Sequence, residues 1–375
     1  MLAQGMLEIL PSAASIPQTN RATFDFLAAL GAYAATTLYT AAQAYYEDHA
    51  QATDPQKAFN SRLAAAREII AGSGEFRYNR LIQRLIAEQG PALTFMTQEL
   101  LRLEGQPDPS TPVGGGSVEL NPSLALPEYF MRSVFHNQPR DMVYRILGGP
   151  SNSHTRKILD RAGCAAVRPG SDLLEQRRLT AAQAPRSTYG RILDVGCGHG
   201  TWTAALQQRF SAATIYAIDL WPAALEATNA IAAINGWRWI LKQAPAENTG
   251  YPDRSFDLVA SYAVLHEVPA SAAEAMLQEM FRVLQPGGDL LFMDVPPYRE
   301  MSDFEMLLSD WETEHRAEPY WREEATLDRG ELCRRIGFVN VDEYGLGEAR
   351  YPWILRARKP MNAAMEQMGE RVGIE

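Results

Sequence analysis

The fold of this chain is decided by one stretch of sequence, Ile192-Leu-Asp-Val-Gly-Cys-Gly-His-Gly200. Its first residues predict a buried strand, three alternating glycines follow, and a helix begins at Thr201. Glycines let the backbone of such a turn pass close beneath a ligand, and free amides at the helix start attract a carboxylate or phosphate. The spacing GxGxG differs from the dinucleotide fingerprint GxGxxG. A ligand turn is the preferred interpretation, and a purely structural turn is the alternative.

Outward from this stretch, strand-like and helix-like segments alternate from Tyr189 onward. This alternation is typical of a parallel sheet with helices on both faces. The predicted strands are Arg191 to Val195, Thr214 to Asp219, Trp239 to Lys242, Phe256 to Ser261, Asp289 to Asp294, Phe338 to Tyr344 and Tyr351 to Arg358. The predicted fold class is therefore α/β, a Rossmann-like seven-stranded sheet preceded by an α-helical N-terminal domain.

Composition separates the chain into regions. Residues 1–104 are rich in Ala and Leu at helical spacing and predict a helical domain, while 105–117 have the Gly and Pro content of a linker. We expect 118–188 to form a helical cap or lid, 189–360 to form the sheet domain and 361–375 to form a tail. The uncharged run Phe26 to Tyr46 has too few large aliphatic side chains for a membrane span, so we interpret it as a buried helix.

Charge and cysteine content exclude several classes of protein. The 375 residues carry a formal net charge of -10, which argues against nucleic acid as a partner. The three cysteines, Cys164, Cys197 and Cys333, are too few and too far apart for a disulfide framework or a zinc site. The first residues lack the pattern of a secretory signal. We therefore expect a cytoplasmic protein.

Five motifs in order identify a family resemblance. The second predicted strand ends at Asp219, about twenty residues beyond the first glycine, where doubly wound folds place an acid on ribose hydroxyls. With Asp194-Val-Gly-Cys-Gly-His-Gly200 and Asp219, the segments Ser255-Phe-Asp-Leu-Val259, Val264-Leu-His-Glu-Val268 and Arg282-Val-Leu-Gln-Pro-Gly-Gly288 resemble class I S-adenosylmethionine methyltransferases of the ubiquinone/menaquinone-biosynthesis type. The resemblance covers roughly Arg191 to Pro360.

The resemblance implies S-adenosyl-L-methionine as the cofactor and assigns residues to it. Gly196, Gly198 and Gly200 would lie beneath the methionine part, Asp194 near its ammonium group, and Asp219 at the ribose hydroxyls.

The adenine end of the implied site departs from the family. Leu220 or Trp221 would pack on the adenine face, with ordinary core packing as an equal alternative. Where the family often has Asp-Ala-Glu this chain has Pro245-Ala246-Glu247. Because Pro245 has no side-chain acceptor, only the backbone of Ala246 remains as the expected contact.

His266 is the candidate catalytic base, because an imidazole suits deprotonation of a hydroxyl at neutral pH. Glu267 would orient His266 or bind substrate, and shaping of the pocket is the alternative role for this pair. His136, in a polar and aromatic cluster, and Tyr298 and Trp311, in a long segment after the fifth strand, are the candidate substrate contacts. Packing or a surface turn is the alternative for each of these three.

The sequence has no metal-binding signature. His136, His266, Glu267, Asp294 and His315 are the residues that could converge on a metal, but their spacing is not typical of a metal site, so we predict no obligatory metal.

The predicted function is transfer of a methyl group to a small, largely apolar acceptor, preferably at oxygen. The alternatives are methylation at carbon or nitrogen, a non-methylating enzyme that uses the same cofactor, and a noncatalytic cofactor-binding partner subunit. The helical half also predicts a homodimer.

Overall fold

A computed structural model describes residues 18–50, 58–86, 88, 115–132, 173–315, 318–347 and 350–361. The chain forms two compact units. The first unit takes its described residues from before position 112 and from Tyr298–Glu318. The second unit takes its described residues from 112–133, 172–297 and the chain after 318.

The described helices are α1 (Gln18–Tyr33), α2 (Tyr39–His49), α3 (Phe59–Ile70), α4 (74–86), α5 (Glu128–Arg132), α6 (Leu173–Ala181), α7 (Thr201–Arg209), α8 (Pro222–Ile234), α9 (Ala270–Val283), α10 (Asp303–His315), α11 (Trp321–Thr326) and α12 (Arg329–Ile336). A π-helical turn, Ala34–Leu38, joins α1 to α2, and short 3-10 turns cover Leu265–Glu267 and Tyr298–Glu300. The strands are β1 (Ser117–Glu119), β2 (Arg191–Val195), β3 (Thr214–Asp219), β4 (Ile240–Gln243), β5 (Phe256–Tyr262), β6 (Leu284–Asp294), β7 (Val339–Gly345) and β8 (Trp353–Arg358).

The first unit is helical, as predicted for the N-terminal region. Tyr39 and Tyr46 of α2 lie against Phe304 of α10, with ring centroids 5.7 and 5.5 Å apart. Arg62 of α3 forms a buried ion pair of 2.6 Å with Asp303. These contacts join Tyr298–Glu318 to the N-terminal helices, whereas the sequence placed that segment within the 189–360 domain.

The second unit is built on one eight-stranded sheet in the order β1-β4-β3-β2-β5-β6-β8-β7. Strands β1 to β6 run parallel, while β8 is antiparallel to both β6 and β7. The chain passes from β2 to β3 and β4 on one side and resumes with β5 on the other side of β2. The carboxyl ends of β2 and β5 therefore form the crevice where open parallel sheets bind ligands.

Helices cover both faces of this sheet. Met276, Leu277 and Met280 of α9 are buried in the core on one face. Trp202 and Leu206 of α7 are buried on the other face. Because apolar side chains are needed on both sides, the central strand β2 is fully buried after Arg191 and reads as an apolar run.

All seven predicted strands are present, with ends shifted by a few residues, and β1 is an eighth strand that the sequence did not predict. It lies where the predicted linker 105–117 meets the predicted cap, and it pairs with β4 through Ser117 and Ile240. Gly116 makes this pairing feasible, because a Cβ there would lie 1.4 Å from the carbonyl oxygen of Trp239. Gly116 therefore allows close packing of β1 against β4, a role that the prediction of a linker at 105–117 did not include. Among the described residues no helix has the length and apolar character needed to cross a membrane.

Candidate active site

The glycine turn follows β2 at the centre of the sheet. Gly196, Gly198 and Gly200 have φ angles of 71°, 52° and 76°, in the left-handed region that favours glycine. The amides of Gly196 and Cys197 donate to the carbonyl of Ile218 at 2.9 and 3.0 Å, which fixes the turn against β3. A Cβ on Gly198 would meet no atom within 4 Å. The backbone at Gly198 therefore borders open space, as a ligand-cradling turn requires.

Asp194 is a fully buried carboxylate with an unused hydrogen-bonding oxygen. Thr203 Oγ1 donates to its Oδ2 at 2.6 Å, while Oδ1 has no partner. Burial raises the pKa of Asp194 to about 7, with Asp219 adding to the rise and Thr203 opposing it. A buried unpaired acceptor is costly, so this oxygen is suited to a cationic donor from a ligand.

Asp219 joins two loops at the carboxyl end of β3. Its Oδ2 accepts from the amide of Gly198 and its Oδ1 from the amide of Trp221, each at 2.9 Å. The side chain is thus held beside the glycine turn, at the position predicted for ribose binding.

Leu220 and Ala246 follow neighbouring strands. The Leu220 carbonyl accepts from Gln243 Nε2 at 3.0 Å, and the Ala244 amide donates to the Asp219 carbonyl at 3.2 Å. The ends of β3 and β4 are therefore tied together. Leu220 and Ala246, which the sequence predicts at the adenine, lie at these two strand ends, and their roles stay predictions.

His266 lies in the turn after β5 and pairs with a carboxylate at the end of β6. The distance from His266 Nδ1 to Asp294 Oδ1 is 2.6 Å. The backbone turns sharply at Ala263, whose φ is 60°, before the 3-10 turn that carries His266. His266 is buried, and its ring lies edge-on to Trp321, with centroids 5.1 Å apart.

Asp294 is held ionised by its surroundings. Its Oδ2 accepts from the amides of Val264 and Leu265 at 3.0 and 2.8 Å. Burial opposes ionisation, but His266, followed by Arg329 and the Val295 amide, brings the pKa of Asp294 below its ordinary value. A carboxylate only accepts hydrogen bonds, so Nδ1 of His266 is the donor to Asp294, and Nε2 is the basic nitrogen whenever the ring is neutral.

Glu267 lies on the other side of the imidazole. Its Oε1 is 3.6 Å from His266 Nε2, too far for a hydrogen bond. The sequence left two roles open for Glu267, to orient His266 or to bind substrate, and its role stays a prediction. The carboxylate that is hydrogen-bonded to His266 in the structure is that of Asp294. The sequence analysis had grouped Asp294 with His266 only as a potential metal ligand, because nothing in the spacing shows that the ends of β5 and β6 meet.

A buried, hydrogen-bonded arginine–glutamate pair lies next to Asp294. Arg329 Nη1 is 2.6 Å from Glu324 Oε1 and donates to the Val295 carbonyl at 3.1 Å. Burial raises the pKa of Glu324 to about 8, although Arg329 opposes the rise. This pair fixes the backbone directly after Asp294.

Two of the three predicted substrate residues belong to the first unit. His136 lies outside the described residues. Tyr298 is buried in the first unit, stacks on Phe59 at 4.8 Å and donates to Asp310 at 3.2 Å. Trp311 belongs to the same unit, where it lines a groove of about 360 Å³ and its ring lies 3.6 Å from that of His315. Their contact with a substrate stays a prediction.

This part of the chain is similar to known proteins. Residues 192–288 match the family model described as a methyltransferase domain. The sheet order, the glycine turn and Asp219, together with that match, define the second unit as a class I S-adenosylmethionine-dependent methyltransferase domain.

Two curated relatives are similar over the same part of the chain. The fatty-acid O-methyltransferase of Mycolicibacterium smegmatis is 34% identical over 131 residues, which are 35% of this chain and 46% of that protein. The phthiotriol/phenolphthiotriol dimycocerosates methyltransferase 1 of Mycobacterium ulcerans is 31% identical over 137 residues, 36% of this chain and 49% of that protein. The chain thus spans about half the length of these curated relatives.

Solved structures also align with this chain. Phosphoethanolamine N-methyltransferase 2 of Haemonchus contortus, in complex with S-adenosyl-L-methionine, aligns over 50% of this chain and 53% of that chain. The sequence identity is 15% and the TM-score is 0.38.

The site residues fit S-adenosylmethionine. The unpaired Oδ1 of Asp194 suits the ammonium group of the cofactor, and the open space at Gly198 suits its close passage over the backbone. Asp219 is placed to accept from ribose hydroxyls.

Proposed function

We propose that this protein methylates a hydroxyl group on an apolar, lipid-like acceptor. The observation that carries the proposal is the buried His266–Asp294 pair of 2.6 Å at the carboxyl edge of the methyltransferase sheet. A hydroxyl must lose its proton when it is methylated, and this pair provides a base for that step. The names of the two curated relatives, which specify a fatty acid and a phthiotriol lipid, support an apolar acceptor.

The bound cofactor supplies an activated methyl group on a sulfonium centre. His266 takes the hydroxyl proton at Nε2. Asp294 keeps the other proton on Nδ1 and stabilises the imidazolium that forms. We further propose that Glu267, whose Oε1 is 3.6 Å from His266 Nε2, contacts the acceptor hydroxyl.

His266 is buried, and its ring lies edge-on to Trp321 of α11. The Glu324–Arg329 pair links α11 to the start of α12. Burial strengthens the interaction between Asp294 and the imidazolium, so the pair favours proton transfer.

The test is release of S-adenosylhomocysteine from a panel of long-chain alcohols, phenolic lipids, fatty acids and amines. We expect turnover of hydroxyl acceptors, with a loss of about 100-fold or more in kcat for His266→Ala. His49→Ala is the matched control, because His49 is an exposed histidine of α2.

Three results would overturn the proposal. A fatty acid presents a carboxylate that needs no base, so turnover confined to fatty acids or amines contradicts it. Full activity of His266→Ala with an alcohol contradicts it as well. Conversion of a substrate without release of S-adenosylhomocysteine would establish the non-methylating alternative.

We also propose an oligomeric state, a cellular location and a finer family resemblance for this protein. A homodimer is expected to appear as twice the chain mass in light scattering. The proposed place is the cytoplasm, and the finer resemblance to ubiquinone/menaquinone-type enzymes would be supported by turnover of a quinol-like ring hydroxyl.

A further inference from the structure

The methyltransferase unit has a second carboxylate with an unused oxygen, that of the half-buried Glu247, at the end of the sheet beyond Asp219. Glu247 follows β4 by four residues. Tyr129 of α5 donates its hydroxyl to Glu247 Oε1 at 2.6 Å. Glu247 Oε2 is buried and has no hydrogen-bond partner. One oxygen therefore anchors the side chain, and the other is available to a donor from a ligand.

Glu247 lies on the side of the sheet towards which the adenine ring of the cofactor is expected to extend. Strands β3 and β4 are neighbours, with Asp219 paired to Gln243. Because the acid at the end of β3 binds ribose in doubly wound folds, the attached base extends towards the next strand, β4. Glu247 lies in the segment that leaves β4 at this edge.

Helix α5 covers both strand ends. Phe130 lies 5.7 Å from Trp221, which follows Asp219, while the adjacent Tyr129 holds Glu247. Consecutive residues of α5 thus supply an aromatic surface near the β3 loop and a tether on the β4 loop. Aromatic rings that can pack on the face of a base, together with a carboxylate that can accept a hydrogen bond at its edge, suit a planar base with an amino group.

We infer that Glu247, positioned by Tyr129, accepts a hydrogen bond from the exocyclic amino group of adenine. It takes the place of the acceptor that Pro245 cannot supply. A carboxylate accepts from an amino group but repels a carbonyl oxygen, so Glu247 selects an adenine nucleoside over a hypoxanthine nucleoside.

The experiment is calorimetric titration of the full chain with S-adenosylhomocysteine and, separately, with S-inosylhomocysteine. The wild-type protein is expected to bind the adenosyl compound at least about 10-fold more tightly. Glu247→Ala should lose about 10-fold for the adenosyl compound and little for the inosyl compound, so the preference disappears. Tyr129→Phe should lower the preference by a smaller factor, because Tyr129 only positions the carboxylate.

Three further variants separate the role of Glu247 from general effects. Glu226→Ala, an exposed Glu of α8, should bind both compounds as the wild type does. Asp219→Ala should weaken both compounds by the same factor, since both carry ribose. Glu247→Gln keeps the size of the side chain, and its rotatable amide can donate to the carbonyl of hypoxanthine, so this variant should also lose the preference.

Equal losses for both compounds in Glu247→Ala and Glu247→Gln would overturn the inference, as would an unchanged preference. No methyl acceptor is present in the titration. Failure of the proposed hydroxyl methylation would therefore leave this result unaffected, and the two proposals fail independently.

Discussion

His266 and Asp294 form a buried pair, with Nδ1 and Oδ1 2.6 Å apart, although 28 positions separate them along the chain. His266 lies in the turn after β5 and Asp294 is the last residue of β6, and the parallel pairing of β5 with β6 brings the two strand ends together. The pair is held by three backbone amides that donate to Asp294. The base of the proposed reaction is thus oriented by main-chain geometry.

Asp294→Asn is expected to lower kcat by about 100-fold or more with little change in KM for the acceptor. An amide can present its NH₂ group to Nδ1, which moves the proton to Nε2 and removes the base. Steady-state kinetics with a hydroxyl acceptor measures this effect, and Asp253→Asn, at an exposed aspartate, is the control. A rise in KM with unchanged kcat would assign Asp294 to acceptor binding instead.

Asp194 makes cofactor binding depend on pH. Because burial raises its pKa to about 7, the carboxyl group is protonated in most of the free protein at pH 6. The ligand ammonium favours the ionised form, so binding releases a proton below pH 7. Affinity for S-adenosylhomocysteine should fall by up to about 10-fold per pH unit between pH 7 and 5.5.

Calorimetry in two buffers of different ionisation enthalpy measures the released proton. Asp194→Asn should bind weakly at every pH and remove the slope. An equally steep slope in that variant would mean that another group titrates.

Replacement of single glycines should separate folding from ligand contact. In Gly196→Ala the new Cβ would lie 2.5 Å from Val264 Cγ2 at a φ of 71°, so we expect a loss of about 2–4 kcal/mol in the free energy of unfolding. In Gly198→Ala the Cβ meets open space, so the loss should be about 1 kcal/mol, with a clear loss of cofactor affinity. Urea denaturation and calorimetry measure the two effects. Normal cofactor affinity of Gly198→Ala would place the ligand elsewhere.

Glu324 should make the protein less stable at alkaline pH. Its folded-state pKa is raised to about 8, so its favourable contribution is present below its ordinary pKa and is lost as the pH rises through 8. Relative to the wild type, Glu324→Gln should gain about 2–4 kcal/mol in free energy of unfolding between pH 5 and pH 9. Glu331→Gln, at an exposed glutamate of α12, should show no such gain. A difference that stays constant across this range would show that Glu324 is ionised throughout.

The central part of the fold could be predicted because its signals are local. Strand β2 is an apolar run that ends in three glycines, and each of these glycines adopts the positive φ that its position requires. Alternation of strands and helices then fixes the parallel sheet. The short edge strand β1 could not be predicted, because three residues are too few to show an alternating pattern. These residues form a strand only through their pairing with β4.

Other features depend on residues that are distant in sequence. The ring of Tyr298 stacks on that of Phe59, 239 positions away, and its hydroxyl donates to Asp310, contacts that no local motif predicts. Tyr129 and Glu247 were missed for the same reason, since 118 positions separate them. No local sequence pattern around either residue predicts its contact with the other.

The amino-acid sequence by itself determined the parallel sheet, the glycine turn and the cofactor class. These depend on hydrophobic periodicity and on backbone conformations that only certain residues adopt, and both are properties of short segments. Tertiary structure alone decided that Asp294 orients His266 and that Tyr129 tethers Glu247. It also decided that Tyr298–Glu318 joins the helical unit. Hydrogen bonds and packing between distant segments form only when the whole chain has brought those segments together.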